Sequence, residues 1–181
     1  MKNIFLIIAI VIASTFVKAQ NPTPIKLYCD KSNSLITYSM NHPLHSWTGI
    51  SKDINSVIIT DEKRETISQV AVSVKISSFD SKNANRDSHA IEVTEALKYP
   101  NITFNSKTIK QEGNKLIVEG TLSFHGLNKD ISFKAEKSVT KNKVEVKGGF
   151  EIKMTEFNVE RPTLMGFATD DEIKITFDVI Y

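Results

Sequence analysis

Several segments of the chain carry apolar residues at every second position, the period of a strand with one buried face. Over residues 70–76, Val70, Val72, Val74 and Ile76 point one way while Ala71, Ser73 and Lys75 point the other. The same alternation recurs at Ile36, Tyr38 and Met40; at Leu116, Val118, Leu122 and Phe124; at Ile131, Phe133 and Ala135; at Phe150, Ile152 and Met154; and at Ile173, Ile175, Phe177 and Val179. Turn signals separate these runs at Glu112-Gly113-Asn114, His125-Gly126-Leu127-Asn128 and Thr140-Lys141-Asn142-Lys143. Loops this short join antiparallel neighbours, so the sheet is predicted to be mostly a meander. About eight strands with polar outer faces exceed what one helix can cover. The sheet must therefore curl onto itself, and the fold class is all-β, a barrel or a sandwich.

One stretch breaks the period. Residues 84–104 read ANRDSHAIEVTEALKYPNITF, and between 86 and 98 the apolar positions Ala90, Val93 and Leu97, with Ala96 beside them, fall at helical spacing. Asn85, Asp87 or Ser88 is a candidate cap, and Pro100 returns the chain to extended structure before a strand at residues 102–106. A single amphipathic helix over 86–98, set between two strands of a barrel, lies across one end.

The first residues change the compartment. Lys2 precedes an apolar run from Ile4 to Val17 that ends in Val17-Lys18-Ala19, the pattern of a leader cut after Ala19. The run is shorter than the roughly 20 residues of a spanning helix, which predicts a signal peptide at 1–19, one domain at 20–181, a periplasmic or secreted protein and no integral membrane span after cleavage. Cys29 is the only cysteine, so no internal disulfide forms, and it reads as a semi-buried structural thiol. Removing the leader takes away two lysines and no acids, so 23 basic and 21 acidic residues become 21 and 21. That balance argues against a nucleic-acid partner. Homodimer formation is left open.

The candidate chemistry is sparse. Arg86, Asp87 and His89 have no serine or cysteine nucleophile in a strained turn beside them. The alternative is that Asp87 caps the helix and Arg86 pairs with a carboxylate to pin it. His42 and His45 are spaced like metal ligands that His89 or His125 would complete, but they flank Pro43-Leu44 in a turn and lack cysteine partners. Trp47 reads as a packing plug or gate. Glu156 and Glu160 sit in a connection before the last strand, whose Phe157, Leu164, Met165 and Phe167 are expected to close the second barrel mouth. No catalytic residue, metal or cofactor is assigned.

Taken in order, several motifs resemble a known family. They are Ser34-Leu35-Ile36-Thr37-Tyr38 with His42 and Gly49; Ser77-Ser78-Phe79-Asp80-Ser81; Asn85-Arg86-Asp87-Ser88-His89; Lys98-Tyr99-Pro100-Asn101-Ile102-Thr103-Phe104; residues 118–129, VEGTLSFHGLNK; and Phe150-Glu151-Ile152 through Asp171-Glu172-Ile173-Lys174-Ile175. Together they resemble the YceI-like family of exported lipid-binding proteins over nearly the whole mature chain. The chain departs from that pattern at Val93-Thr94-Glu95-Ala96, where the family often has paired aromatics, and in the His- and Trp-rich residues 42–51.

The resemblance implies an antiparallel lipocalin-like β-barrel of about eight strands with one amphipathic helix across an end. Its interior would hold a polyisoprenoid, an isoprenoid quinone or a fatty-acid-like lipid. On that reading Ile36, Tyr38, Met40, Trp47, Val72, Val74, Phe104, Val118, Leu122, Phe124, Phe150, Ile152 and Phe177 line the cavity, and Arg86, Asp87, His89, Val93 and Leu97 form a lid or touch a head group. Periodicity by itself favours a close-packed core, as in a stress-response domain without ligand, and it is the resemblance that favours a lined cavity. A His-dependent metal enzyme is the remaining alternative.

Overall fold

The computed structural model describes residues 23–181; the leader expected at 1–19 lies outside the described residues. Ten strands form one antiparallel sheet: β1 (Ile25–Tyr28), β2 (Leu35–His42), β3 (His45–Ser51), β4 (Ile54–Thr60), β5 (Ile67–Lys75), β6 (Asn101–Glu112), β7 (Lys115–Phe124), β8 (Leu127–Thr140), β9 (Lys143–Lys153) and β12 (Glu172–Ile180). Their spatial order is β1-β4-β5-β6-β7-β8-β9-β12-β2-β3, so β4 to β9 form the expected meander. A helix, α1 (Ala84–Val93), interrupts it between β5 and β6, and a small hairpin of β10 (Thr163–Leu164) and β11 (Phe167–Ala168) precedes β12. Among the described residues no helix is long and apolar enough to cross a membrane.

Strands β3 and β4 do not stand out in the sequence, for a physical reason. The inward positions of β4 are Ile54, Ser56, Ile58 and Thr60, and those of β3 include Gly49 and Ser51; all six are buried although three are hydroxyl side chains and one has no side chain. Alternation of apolar residues fails where a wall is built from small polar ones.

The sheet curls into a half-barrel, helped by register shifts at Ile59/Thr60 and Ser106/Thr108. Its two edges, β1 and β3, are not paired with each other. The seam between them is spanned by individual bonds. Beyond β1 the chain crosses from β4 to β12, with Cys29 N–H donating to the Ser56 carbonyl at 3.0 Å and Asp30 N–H to the Ile180 carbonyl at 2.7 Å. The Ser34 hydroxyl donates to the Asp30 carbonyl and accepts from Ile180 N–H. Ile50 and Asp80 exchange two backbone bonds of 3.0 Å. The Cys29 thiol donates to the Ile54 carbonyl and accepts from Ser56 N–H, both at 3.3 Å, which is the structural role expected of it. The Tyr181 hydroxyl meets that of Ser56 at 2.6 Å, and burial raises its pKa.

The end opposite the helix is stoppered by polar groups. The buried Lys137 of β8 donates its ammonium to the carbonyls of Arg64 and Glu65 in the β4–β5 loop. Asp61 folds that loop by accepting from the N–H groups of Glu65 and Thr66 at 2.9 and 2.8 Å, and the Gln111 amide ties it to β6. Desolvation pushes the lysine pKa down, against the attraction of Asp61 and Glu65.

Lys137→Met keeps the apolar stem and removes the donor, leaving the Arg64 carbonyl without its partner while the Glu65 carbonyl keeps the Gln111 amide. The expected loss is about 1–3 kcal/mol, read as a lower urea midpoint at unchanged m. The pH dependence checks the cause. Because folding lowers the lysine's proton affinity, the unfolded chain binds more protons between the depressed folded pKa and the ordinary 10.5. Lys137 therefore contributes a rise in stability with pH across that window, and the Met variant should lack it.

Candidate ligand-binding cavity

The β2–β3 turn, the segment carrying α1, the β7–β8 turn and the β9–β12 connection gather at one end of the half-barrel. Two connected spaces open there. An inner chamber of about 130 Å³ lies between the walls, and an outer chamber of about 470 Å³ lies under α1 and the β10–β11 hairpin. Phe79, Ile102, Phe124, Ile152 and Ile175 line both and form the waist. Together the chambers fall within the roughly 300–1,000 Å³ typical of small-molecule sites.

The inner lining is almost wholly apolar. Of the residues expected to line a cavity, Ile36, Val72, Val74, Phe104, Val118, Leu122, Phe124, Phe150, Ile152 and Phe177 border this chamber. Tyr38, Met40 and Trp47 border the outer one. Phe79 stands outside any alternating run, whereas Tyr181 extends the alternation of Ile173, Ile175, Phe177 and Val179 by one further step and was legible from it. Ile102 and Ile175 lie in predicted strands, but nothing in sequence spacing marks a waist.

The lumen stays hollow because large rings are laid against the wall. Tyr38 faces Gly49 across β2 and β3, and Phe177 faces Gly148 across β12 and β9. A Cβ on Gly49 would come within 2.6 Å of the Tyr38 ζ carbon, one on Gly148 within 2.6 Å of Phe177, and one on Gly120 within 2.5 Å of Phe104. Each ring occupies the place of a missing side chain on a neighbouring strand instead of reaching across the lumen. Phe133 completes the inner aromatic set, stacked on Phe150 at 5.2 Å and edge-on to Phe177 at 5.7 Å.

The lid is built differently from the sequence expectation. Its N-cap is Asn83, whose side chain accepts from Arg86 N–H at 3.1 Å, rather than Asn85, Asp87 or Ser88. Asp87 instead reaches back past the start of the helix and accepts from Ser81 N–H at 3.1 Å. Arg86 finds no carboxylate anchor; its guanidinium lies over the Trp47 ring, 5.1 Å from the centroid, and pins the helix to β3. Trp47 is therefore a strand residue in a stack of Arg86, indole and His45.

The helix ends at Val93, five residues short of the predicted Lys98. Thr94 turns its hydroxyl onto the Ala90 carbonyl at 2.5 Å. Glu95 adopts a left-handed φ of 46°, while Ala96 N–H bonds the Ile91 carbonyl and Glu95 N–H the Glu92 carbonyl. This is a Schellman ending with glutamate where glycine is usual. The compensating contact is long-range: the Glu95 carboxylate meets His125 Nε2 at 2.9 Å, and His125 Nδ1 meets the Phe157 carbonyl at 2.8 Å. Consequently Ala96 is buried and Leu97, past the helix end, is 96% exposed and lines neither chamber. Arg86, Asp87, His89 and Val93 border the outer chamber, and Leu97, expected beside them, does not.

The histidines are dispersed in function. His42 is buried, accepts from Leu44 N–H through Nδ1 at 3.2 Å and donates from Nε2 to the Phe167 carbonyl at 3.0 Å. Both nitrogens of His42 and both of His125 are thus engaged by protein groups, while His45 and His89 are exposed. Among the described residues no group of three or more His, Cys, Asp or Glu is placed to hold a metal.

The β9–β12 connection closes no second mouth. Phe157 is buried against Phe124, centroids 5.5 Å apart, and Leu164 borders the same outer chamber as α1. Thr169, also bordering it, is buried with a hydroxyl that has no hydrogen-bond partner.

Similarity to known proteins follows the same outline. A family model described as the YceI-like domain matches residues 28–181. Protein YceI of Salmonella newport is 29% identical over 114 residues, covering 61% of this chain and 60% of that protein, so the match spans less than two thirds of the curated relative. Among solved structures, BcnA of Burkholderia cenocepacia is similar with a TM-score of 0.75 at 20% identity, covering 84% of this chain and 99% of that one. The YCEI protein of Campylobacter jejuni gives 0.64 at 28% identity over 74% and 82% of the two chains. A polyisoprenoid binding domain from Saccharophagus degradans, implicated in plant cell wall breakdown, gives 0.69 at 12% identity over 89% and 98%.

Gly49→Ala tests the ring-on-glycine device where only the Tyr38 side chain stands in the way. The ring is expected to leave the wall and enter the outer chamber. Stability should fall by about 1–3 kcal/mol, the usual cost of overpacking, and a crystal structure of the variant should show the outer chamber reduced.

Proposed function

The chain belongs to the YceI-like domain family, and from that membership and the two-chamber lumen we propose that it is an exported, non-enzymatic binding protein for an extended apolar ligand. The ligand class is a polyisoprenoid, an isoprenoid quinone or a fatty-acid-like lipid, held for transport, storage or sequestration. One observation carries the reading: an apolar inner chamber continues through a waist into a larger outer chamber bordered by Tyr38, Arg86, Asp87 and Thr169. That division suits a greasy tail with a more polar end. Burial is worth about 0.8 kcal/mol per methylene, so a few isoprene units outweigh a head-group hydrogen bond of about 1 kcal/mol.

The lid charges support binding over catalysis. Asp87 is committed to Ser81 N–H and Arg86 to the Trp47 face, which are anchoring roles. Export rests on the leader pattern of residues 1–19, and the balanced charge of the mature chain agrees with a partner that is a lipid rather than a nucleic acid.

Ala135, buried beside the inner chamber, provides the test. Ala135→Leu adds three carbons to a space of about 130 Å³. Titrated with a fluorescent farnesyl derivative, the unaltered protein should bind and the variant should bind at least tenfold more weakly, with its thermal transition still cooperative. Equal affinity in both would remove the inner chamber from the account, and no binding by either would remove the ligand.

A further inference from the structure

We propose that the rim of the mouth is a docking surface for a lipid bilayer, engaged by the tips of two hairpins. The proposal rests on the reading of the lumen as a lipid site and concerns how the lipid enters. Leu44, at the β2–β3 turn, is 58% exposed, and the β10–β11 hairpin presents Leu164, Met165 and Phe167 at 46, 81 and 56%. Leu164 also borders the outer chamber, so apolar surface continues from the rim into the lumen.

The two tips are a built pair. His42, buried between them, accepts from Leu44 N–H and donates to the Phe167 carbonyl. Asp170 N–H adds a bond to the Asn41 carbonyl at 2.9 Å. The β10–β11 turn places Met165 at a left-handed φ of 52° before Gly166 at 82°, an arrangement costly for methionine that sets its side chain at the tip. Exposed apolar side chains held this firmly are not a by-product of the fold.

Shape and charge select the partner. Four side chains on two narrow tips fall far short of the roughly 800 Å² per side that a stable protein interface needs. They suit insertion among lipid head groups instead. Residues 163–168, TLMGFA, and Pro43-Leu44 carry no charge, so the surface addressed is a neutral bilayer and attachment is hydrophobic. Docking there lets a lipid pass from bilayer to lumen without crossing water, where each exposed methylene slows escape roughly fourfold.

The experiment uses the mature protein, phosphatidylcholine and phosphatidylglycerol vesicles, and the double variant Met165→Asn/Phe167→Ser, whose side chains are exposed. Trp47, the one tryptophan, stands at the mouth and reports approach through quenching by brominated phosphatidylcholine. The unaltered protein should sediment with phosphatidylcholine vesicles to the same extent at low and high salt. The variant should partition at least tenfold less and take up a farnesyl fluorophore from vesicles correspondingly more slowly, yet bind the same fluorophore in solution with unchanged affinity. Failure of the unaltered protein to partition, equal partition of the variant, or binding confined to phosphatidylglycerol and abolished by salt would each overturn the docking proposal. Loss of fluorophore binding in solution by both proteins would count against the lumen reading alone, with sedimentation still deciding the docking.

Discussion

The inner faces of a curled sheet either meet across the lumen or leave a gap, and in this protein the outcome depends on where three aromatic rings rest. Tyr38, Phe104 and Phe177 lie on Gly49, Gly120 and Gly148 of adjacent strands. A methyl group at any of these glycines would collide with a ring. Because the rings cover the wall and do not cross the lumen, the apolar alternation of β2, β5, β6, β7, β9 and β12 produces a lined space. The same side chains at the same periodicity would otherwise fill a solid core.

A hollow needs ends, and each end is closed by a different kind of bond. At the base, the buried Lys137 ammonium and the Gln111 amide tie down the β4–β5 loop by the carbonyls of Arg64 and Glu65. Along the seam, where strand pairing stops, Cys29, Ser34, Ser56 and Tyr181 satisfy what the ladder leaves unpaired. At the mouth, α1 is held at its start by the Arg86 guanidinium on Trp47 and at its end by Glu95 on His125. The mouth is the end with room beneath it, and the buried, unpartnered hydroxyl of Thr169 lies on its border.

The walls were legible in the sequence wherever burial and apolarity coincide. Every expected lining residue borders one chamber or the other, since strand alternation places side chains without further information. Strands β3 and β4 escaped because Gly49, Ser51, Ser56 and Thr60 build their inner faces. The end of α1 escaped because a glutamate takes a left-handed conformation that sequence rules reserve for glycine, sustained by a histidine thirty residues away. Leu97 was misassigned for that reason, and the partners of Asp87 and Arg86 because both are set by neighbours in space. The β10–β11 hairpin was expected at the wrong end, since only the bonds from His42 and Asn41 fix its place. Hollowness itself depends on cross-strand register, which pairs each ring with its glycine and which periodicity does not carry.

The central claim, that the space between the walls holds an apolar ligand, is tested most directly by native mass spectrometry of the mature protein purified without detergent, followed by organic extraction. The account predicts a discrete added mass on the folded protein that disappears on extraction and proves to be an extended hydrocarbon chain. A folded protein that carries no added mass after incubation with prenyl and fatty-acyl lipids would contradict it.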